Sequence, residues 1–151
     1  QALVDVYPKE KGFQSPANAP PLYLCDCTKF TDSDLRCLTG MSSLESLSLI
    51  GCTGLEILPD MSPMQRLRIL DLRLCTGLHG PGALLGLTRL VSLEILLLPD
   101  CIMPESLPDL SVLLGLKWLG LDGCTSSKDL ARLNQQLPKG CLITGQDLKR
   151  L

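Results

Sequence analysis

Aromatic residues make up only 3% of this 151-residue chain. That is too few to organise a core around Phe, Tyr and Trp. No apolar run approaches the roughly 20 residues that a membrane helix needs. The richest, Leu93 to Leu98, stops at Pro99 and Asp100, so no membrane span is expected. The formal net charge is −2, and no basic stripe of the kind that tracks phosphates runs along the chain. Arg66, Arg68 and Arg73, and Lys149 with Arg150, read as small solvated clusters, and direct nucleic-acid binding is not expected. The one histidine, His79, sits in a Gly-rich segment without a nucleophile motif beside it. Neither G-x-x-x-x-G-K-[ST] nor G-x-G-x-x-G occurs. The chain is therefore read as a non-enzyme with no cofactor.

Other absences bear on the setting. Asn18 and Asn134 lack the Ser or Thr of a glycosylation acceptor. Gln1 to Leu3 has neither the basic start nor the long apolar core of a signal peptide. The chain begins without Met, as a processed protein or a fragment would.

Leucine supplies most of the apolar side chains, which total 45%. It is distributed with a period. Leu44-x-x-Leu47-x-Leu49-x-x-Cys52 recurs as Leu67-x-x-Leu70-x-Leu72-x-x-Cys75. It recurs again as Leu93-x-x-Leu96-x-Leu98-x-x-Cys101 and Leu116-x-x-Leu119-x-Leu121-x-x-Cys124. Met41, Met64, Leu90 and Leu113 stand three residues before each copy. A weaker first copy is Leu22-Tyr-Leu24-Cys-Asp-Cys27. Successive cysteines are 25, 23, 26 and 23 residues apart, within the leucine-rich repeat period of about 20–29 residues.

Alternation within L-x-L predicts a short strand with leucines inward. Stacked copies would bury one continuous core that no single copy can. Cys27, Cys52, Cys75, Cys101 and Cys124 read as a structural ladder of small buried hydrophobes with a weak S–H donor near carbonyls of adjacent turns. This use, together with the missing acceptor sites, points to a reducing, intracellular compartment, cytosolic or mitochondrial. Cys25-x-Cys27 with Cys37 lacks the paired knuckles of a zinc site, so no metal is expected. Cys25 faces outward as the candidate reactive thiol.

The return segments differ. Thr31-Asp-Ser-Asp34 is a capping-box pattern and predicts a helix over Asp32 to Leu38. Pro59 and Pro63 predict an irregular return. A helical turn is expected over Ala83 to Leu87 after Gly80-Pro-Gly82, and an extended return around Pro104 and Pro108. A last helix runs from the Ser126-Ser-Lys-Asp129 cap to about Gln136, stopped by Pro138, with a strand over Gly140 to Thr144. The organisation expected is an arm or cap over 1–18, five repeats with a helix–strand cap over 19–144, and a tail over 145–151.

The L-x-x-L-x-L-x-x-C strand resembles the cysteine-containing subfamily of leucine-rich repeats, the type found in F-box proteins. The Cys27-x3-Thr31-Asp32-x2-Leu35-x2-Leu38 return is similar to that subfamily's return. Cys52-Thr-Gly-Leu55 and Cys75-Thr-Gly-Leu78 resemble the repeats of kinetoplastid leucine-rich repeat proteins. The size, the opening Cys-x-Cys strand and the helix–strand ending are similar to mitochondrial coupling factor B-like proteins. The resemblance implies an α/β leucine-rich repeat solenoid, with a curved parallel sheet on the concave side and short helices and irregular loops on the convex side. It implies a non-catalytic protein–protein interaction module, an accessory or scaffolding subunit of a larger complex. Two alternatives follow from the same relatives: the substrate-receptor part of a ubiquitin ligase, or a mitochondrial energy-complex coupling or assembly factor. These residues contain no F-box segment.

The outward strand positions form three ladders: Pro21, Ser46, Ile69, Ile95, Trp118; then Tyr23, Ser48, Asp71, Leu97, Gly120; then Cys25, Ile50, Arg73, Pro99, Asp122. Ile69, Ile95, Leu97 and Trp118 are expected to form an exposed apolar patch edged by Asp71, Arg73, Asp100 and Asp122. An apolar centre with a charged rim is the make-up of a protein-binding hot spot.

Overall fold

A computed structural model describes residues 21–99, 107–121 and 127–144, with backbone alone at Ser127 to Asp129. The recurring segment forms one strand in each copy: β1 (Leu22–Tyr23), β2 (Ser46–Ser48), β3 (Ile69–Asp71), β4 (Ile95–Leu98) and β5 (Trp118–Leu121). Among the described residues there are two α-helices, α1 (Asp32–Leu38) and α2 (Ser127–Gln136), and a sixth strand, β6 (Leu142–Thr144), follows α2. The described residues are α/β, with their six strands in one parallel sheet. The spatial order of the strands equals their order in the chain.

Register follows the repeat. Leu47, Leu70, Leu96, Leu119 and Ile143 pair in one row across β2 to β6. Ser46, Ile69, Ile95, Trp118 and Leu142 pair in the next. Side chains of successive strand residues leave opposite faces of a sheet. The leucine row therefore lies on one face, where it joins the main core with Leu49, Leu72 and Leu98. The return segments cover that face and contribute Leu35, Leu55, Met61, Leu78, Leu84, Leu87 and Leu110. This gives a layer of returns on a layer of sheet.

The same turns recur around each strand. Leu44, Leu67, Leu93 and Leu116 each donate a backbone N–H to the carbonyl three residues back, at 3.0–3.1 Å. Cys52 and Cys75 do so to Leu49 and Leu72, at 3.0 and 3.2 Å. The residue before each described ladder cysteine is left-handed: Asp26 before Cys27 has φ 57°, Gly51 before Cys52 72° and Leu74 before Cys75 60°. Asp and Gly tolerate that region, whereas a leucine there carries steric strain.

After the cysteine, the chain must pass close under the preceding turn. A Cβ on Gly54 would meet the Thr28 and Phe30 carbonyl oxygens at 2.8 Å each. One on Gly77 would meet those of Leu55 and Thr53 at 2.2 and 2.7 Å. The Cys-Thr-Gly-Leu run is thus a packing requirement of neighbouring turns.

In the returns, α1 occupies its expected residues. The Asp34 carboxylate accepts from the Thr31 N–H and hydroxyl, both at 2.8 Å. Asp32 ties α1 to the next return, its Oδ1 accepting from the N–H groups of Glu56 and Ile57 at 3.0 and 3.1 Å. Two returns correct the expectation. The turn placed at Ala83 to Leu87 is a 3₁₀ segment over Leu85–Arg89. Gly82, at φ 78°, holds Ala83 and Leu84 in a preceding turn. Beyond Pro108, a second 3₁₀ segment spans Leu110–Val112 where extended chain was expected, because Asp109 caps it by accepting from the Ser111 N–H at 2.9 Å. Helix α2 ends at Gln136 ahead of Pro138. The arm over 1–18, Pro104, Ser126 and the tail lie outside the described residues.

Candidate functional site

The sheet face opposite the main core carries the outward ladders. Ile69, Ile95, Leu97 and Trp118 come together there in a second apolar cluster, separate from the core, with Leu142 packed against it. The register brings them side by side, at the spacing of about 4.8 Å between neighbouring strands. The Trp118 indole N–H donates to Thr144 Oγ1 at 2.5 Å. Leu97 lies over Gly120, where an added Cβ would meet its Cδ2 at 2.5 Å.

The exposure expected of this patch is not found. Ile69 and Ile95 are 1% accessible, Leu97 3% and Trp118 9%. Ser46, Ser48 and Asp71, on the same face, are buried as well. Alternation along a strand tells which face a side chain leaves from, and not what lies above that face. Asp71 is also no solvated rim charge. Its carboxylate accepts from Arg73 Nη2 at 2.7 Å and Nε at 3.0 Å, and from the Arg73 backbone N–H at 3.1 Å. Such bidentate pairing compensates the loss of water around a buried carboxylate. The Arg73 side chain retains partial access to solvent. Asp100 and Asp122 lie outside the described residues.

The cysteine ladder divides. Cys52 Sγ donates to the Leu24 carbonyl at 2.8 Å and Cys75 Sγ to the Leu49 carbonyl at 2.9 Å, each in the preceding turn. Burial pushes these thiols up to about 11 and about 12, because a thiolate there would lose its hydration. Cys27 is half-buried and its Sγ lies 3.7 Å from the Cys25 carbonyl oxygen. Cys101 and Cys124 lie outside the described residues. Cys25 is exposed, 3.7 Å from Ser48 Oγ, and Cys37 is exposed on α1. His79 is exposed, and its Nδ1 meets the Thr76 carbonyl oxygen at 2.9 Å.

A further strip, not anticipated from the sequence, runs along the residues that lead into the strands. Glu45, Arg68, Glu94 and Lys117 each precede an outward ladder residue and alternate in sign. Arg68 reaches Glu45 at 4.0 Å and Glu94 at 2.8 Å, and Lys117 reaches Glu94 at 2.7 Å. Burial alone would raise the Glu94 carboxyl, but the hydrogen bonds and charges of Arg68 and Lys117 outweigh it and hold it below the ordinary range. These side chains, with Gln65, Arg66, Ser92 and Gly115, line a shallow groove of about 500 Å³.

Beside it stand Val91, 53% exposed, and Leu114, 81% exposed. They occupy equivalent positions, one residue after Leu90 and Leu113, in adjacent turns. The Val91 carbonyl oxygen lies 3.9 Å from a Cβ built on Gly115. The signal for this strip was the E-R-E-K series at one repeat position, which is visible once the copies are aligned.

Among the described residues, no three His, Cys, Asp or Glu side chains converge as metal ligands would. No helix among them is long and apolar enough to cross a membrane. Comparison with protein-family models, curated proteins and solved structures finds no match to this chain.

Proposed function

We propose that this chain is a leucine-rich repeat solenoid of the cysteine-containing type. In this reading it acts as a non-catalytic protein-interaction module, an accessory or scaffolding subunit of a larger assembly. The fold reading is supported by strands that follow chain order, by register that advances 23 to 26 residues per strand, and by cysteines that bond to the preceding turn. Thiols used as hydrogen-bond donors also fit a reducing compartment.

One observation carries the functional reading. Val91 and Leu114 are exposed at equivalent positions of adjacent turns, each one residue before Ser92 or Gly115 in the lining of a groove edged by an alternating charge ladder. Adjacent exposed aliphatic side chains beside oriented charges offer a partner both area to bury and a register to match. The contact placed on Ile69, Ile95, Leu97, Trp118, Asp71 and Arg73 moves, in this reading, to the neighbouring strip, since all of these but the partly exposed Arg73 are buried.

The test is affinity capture of the full chain from its source, wild type beside Leu114→Asp, with quantitative mass spectrometry. The expected result is a partner recovered at stoichiometric ratio with the wild type and lost with the variant, both chains showing the same thermal midpoint. Recovery of no stoichiometric protein with the wild type would overturn the reading.

A further inference from the structure

The strip at Val91 and Leu114 is built of rows that run from the β4 turn to the β5 turn. Trp118 pairs with Ile95, and the Lys117 N–H donates to the Glu94 carbonyl at 2.8 Å. Counting back from that pair sets Ser92 with Gly115 and Val91 with Leu114. The turn keeps this alignment, since a Cβ on Gly115 would meet the Leu93 and Val91 carbonyl oxygens at 3.5 and 3.9 Å. One row is therefore apolar, one is small, and one is a pair of opposite charges.

The two turns differ in relief. On the β5 turn, Leu114 is 81% exposed and the Lys117 side chain 64%. On the β4 turn, Ser92 is half-buried and the Glu94 side chain is 16% exposed. Leu114 and Lys117 protrude, while Ser92 and Glu94 lie lower in the groove wall.

We propose that the partner of this strip is a second copy of the chain, related by a two-fold axis that runs along the strand direction between β4 and β5. The inference rests on reading the strip as a protein-binding surface and names what binds there. Such an axis makes the same contact twice. Leu114 meets Val91 of the second copy, Gly115 meets its Ser92, and Lys117 meets its Glu94. Protrusion falls on recess, apolar on apolar and cation on anion, and the small row lets the two backbones come close. An ammonium group has three donors. Lys117 gives one to its own Glu94 at 2.7 Å, which leaves two for the Glu94 of the second copy.

Agreement between the rows places the axis. Shifted one step, between β3 and β4, it would still oppose charges, with Arg68 on Glu94 and Glu45 on Lys117. It would then lay Leu114 on Ser42 and Val91 on Gln65, apolar on polar. An axis along the charge row, across the strands, would set like charge on like, which is repulsive.

Spacing selects a copy over a peptide. Neighbouring strands step by ~4.8 Å, whereas an extended segment repeats a face every ~6.7 Å and a helix every ~5.4 Å. A second copy carries the same step as the first.

Sedimentation equilibrium of the purified full chain reads the association. The expected wild-type mass is twice that of one chain. Lys117→Glu replaces two attractive contacts by two repulsive ones and is expected to weaken dimerisation ~100-fold or more. Glu94→Lys should do the same. Mixed in equal amounts, the two variants should regain the dimer, because each supplies the charge that the other lacks at both contacts. Far-ultraviolet circular dichroism of each variant verifies its fold.

A second measurement uses the unaltered chain. Isotope-labelled and unlabelled protein are mixed, treated with a zero-length carbodiimide cross-linker and digested. Products that join Lys117 of one isotope to Glu94 of the other support the dimer, and products confined to one isotope overturn it. A wild-type chain of single mass at ~100 μM, far above a micromolar constant, overturns it as well. If affinity capture then recovers a different stoichiometric protein, the reading of the strip stands and this partner alone is lost. A dimer that Lys117→Glu leaves intact also overturns the proposal, since the contact would lie on another face.

Discussion

Gly77 passes so close beneath Leu55 that a methyl group on its Cα would sit 2.2 Å from the Leu55 carbonyl oxygen. The obstacle is backbone, which cannot rotate aside. Gly77→Ala is expected to cost about 1–3 kcal/mol, the range for overpacking a filled site. Gly80→Ala, three residues on, meets nothing within 4 Å and should leave stability unchanged. Urea denaturation of the two variants side by side measures the difference, and equal midpoints would refute the close approach.

Leu74 holds a φ of 60° where the equivalent residue of the preceding turn is Gly51. Its side chain is 47% exposed, so little packing is lost with it. Left-handed geometry costs a side-chain-bearing residue about 1–2 kcal/mol, offset in part by the roughly 0.5–1 kcal/mol of extra chain entropy that glycine loses. Leu74→Gly is therefore expected to raise stability by about 0.5–1 kcal/mol. A lowered thermal midpoint would contradict the strained turn.

The thiols should separate by environment. Cys25 and Cys37 are exposed and should react with a thiol reagent in the folded protein at pH 8. Cys52 and Cys75 should react only in denaturant. Unfolded thiols ionise near 9.0, whereas burial keeps these two protonated up to about 11 and about 12. Their contribution to stability is complete below about pH 9 and decays as pH rises from there towards 12. Cys75→Ala should flatten that alkaline limb of the midpoint-versus-pH curve.

Glu94 makes the opposite prediction at acid pH. Arg68 and Lys117 hold its carboxyl below the ordinary 4.5 despite its burial. The stability it contributes is present above about pH 4.5 and is lost as pH falls below that value. Glu94→Gln should cost about 1 kcal/mol at pH 7, the upper end for partly exposed pairs, and should shrink the loss seen in wild type between neutral and acid pH. Parallel curves for the two proteins would show that the ladder carries no net energy.

Asp71 and Arg73 form a pair beneath the closed face, with the carboxylate fully buried. Asp71→Ala strips Arg73 of three charge-assisted contacts and should destabilise by roughly 1.5–3 kcal/mol, the range for hydrogen bonds to charged groups. Chemical denaturation at pH 7 measures it. A near-zero effect would place the pair in water.

Strand positions were legible in the sequence because both signals they need are local. Alternation over L-x-L assigns the face, and the recurrence of Leu47, Leu70, Leu96 and Leu119 sets a register that the pairing reproduces. Helix α1 was legible for the same reason, since its cap lies within four residues of its start.

What escaped the sequence depends on contact between distant parts. The 3₁₀ turn at Leu85–Arg89 begins beyond the left-handed Gly82 and carries Gly86 close beneath Pro59, whose carbonyl oxygen would be 2.3 Å from a Cβ there. The burial of Ile69, Ile95 and Trp118 depends on what covers the face, which alternation does not encode. The charge ladder was present at one repeat position but carries meaning only once strands lie side by side.

Strand order that equals chain order has a consequence during synthesis. Each described strand after the first pairs with the one made just before it, so none of these pairings waits for a distant end of the chain. A nascent polypeptide that has emerged as far as Cys75 already holds every strand neighbour that β1 and β2 have among the described residues. Each later segment of about 25 residues adds its strand to an edge already laid down, and the growing protein exposes one unfinished edge at a time.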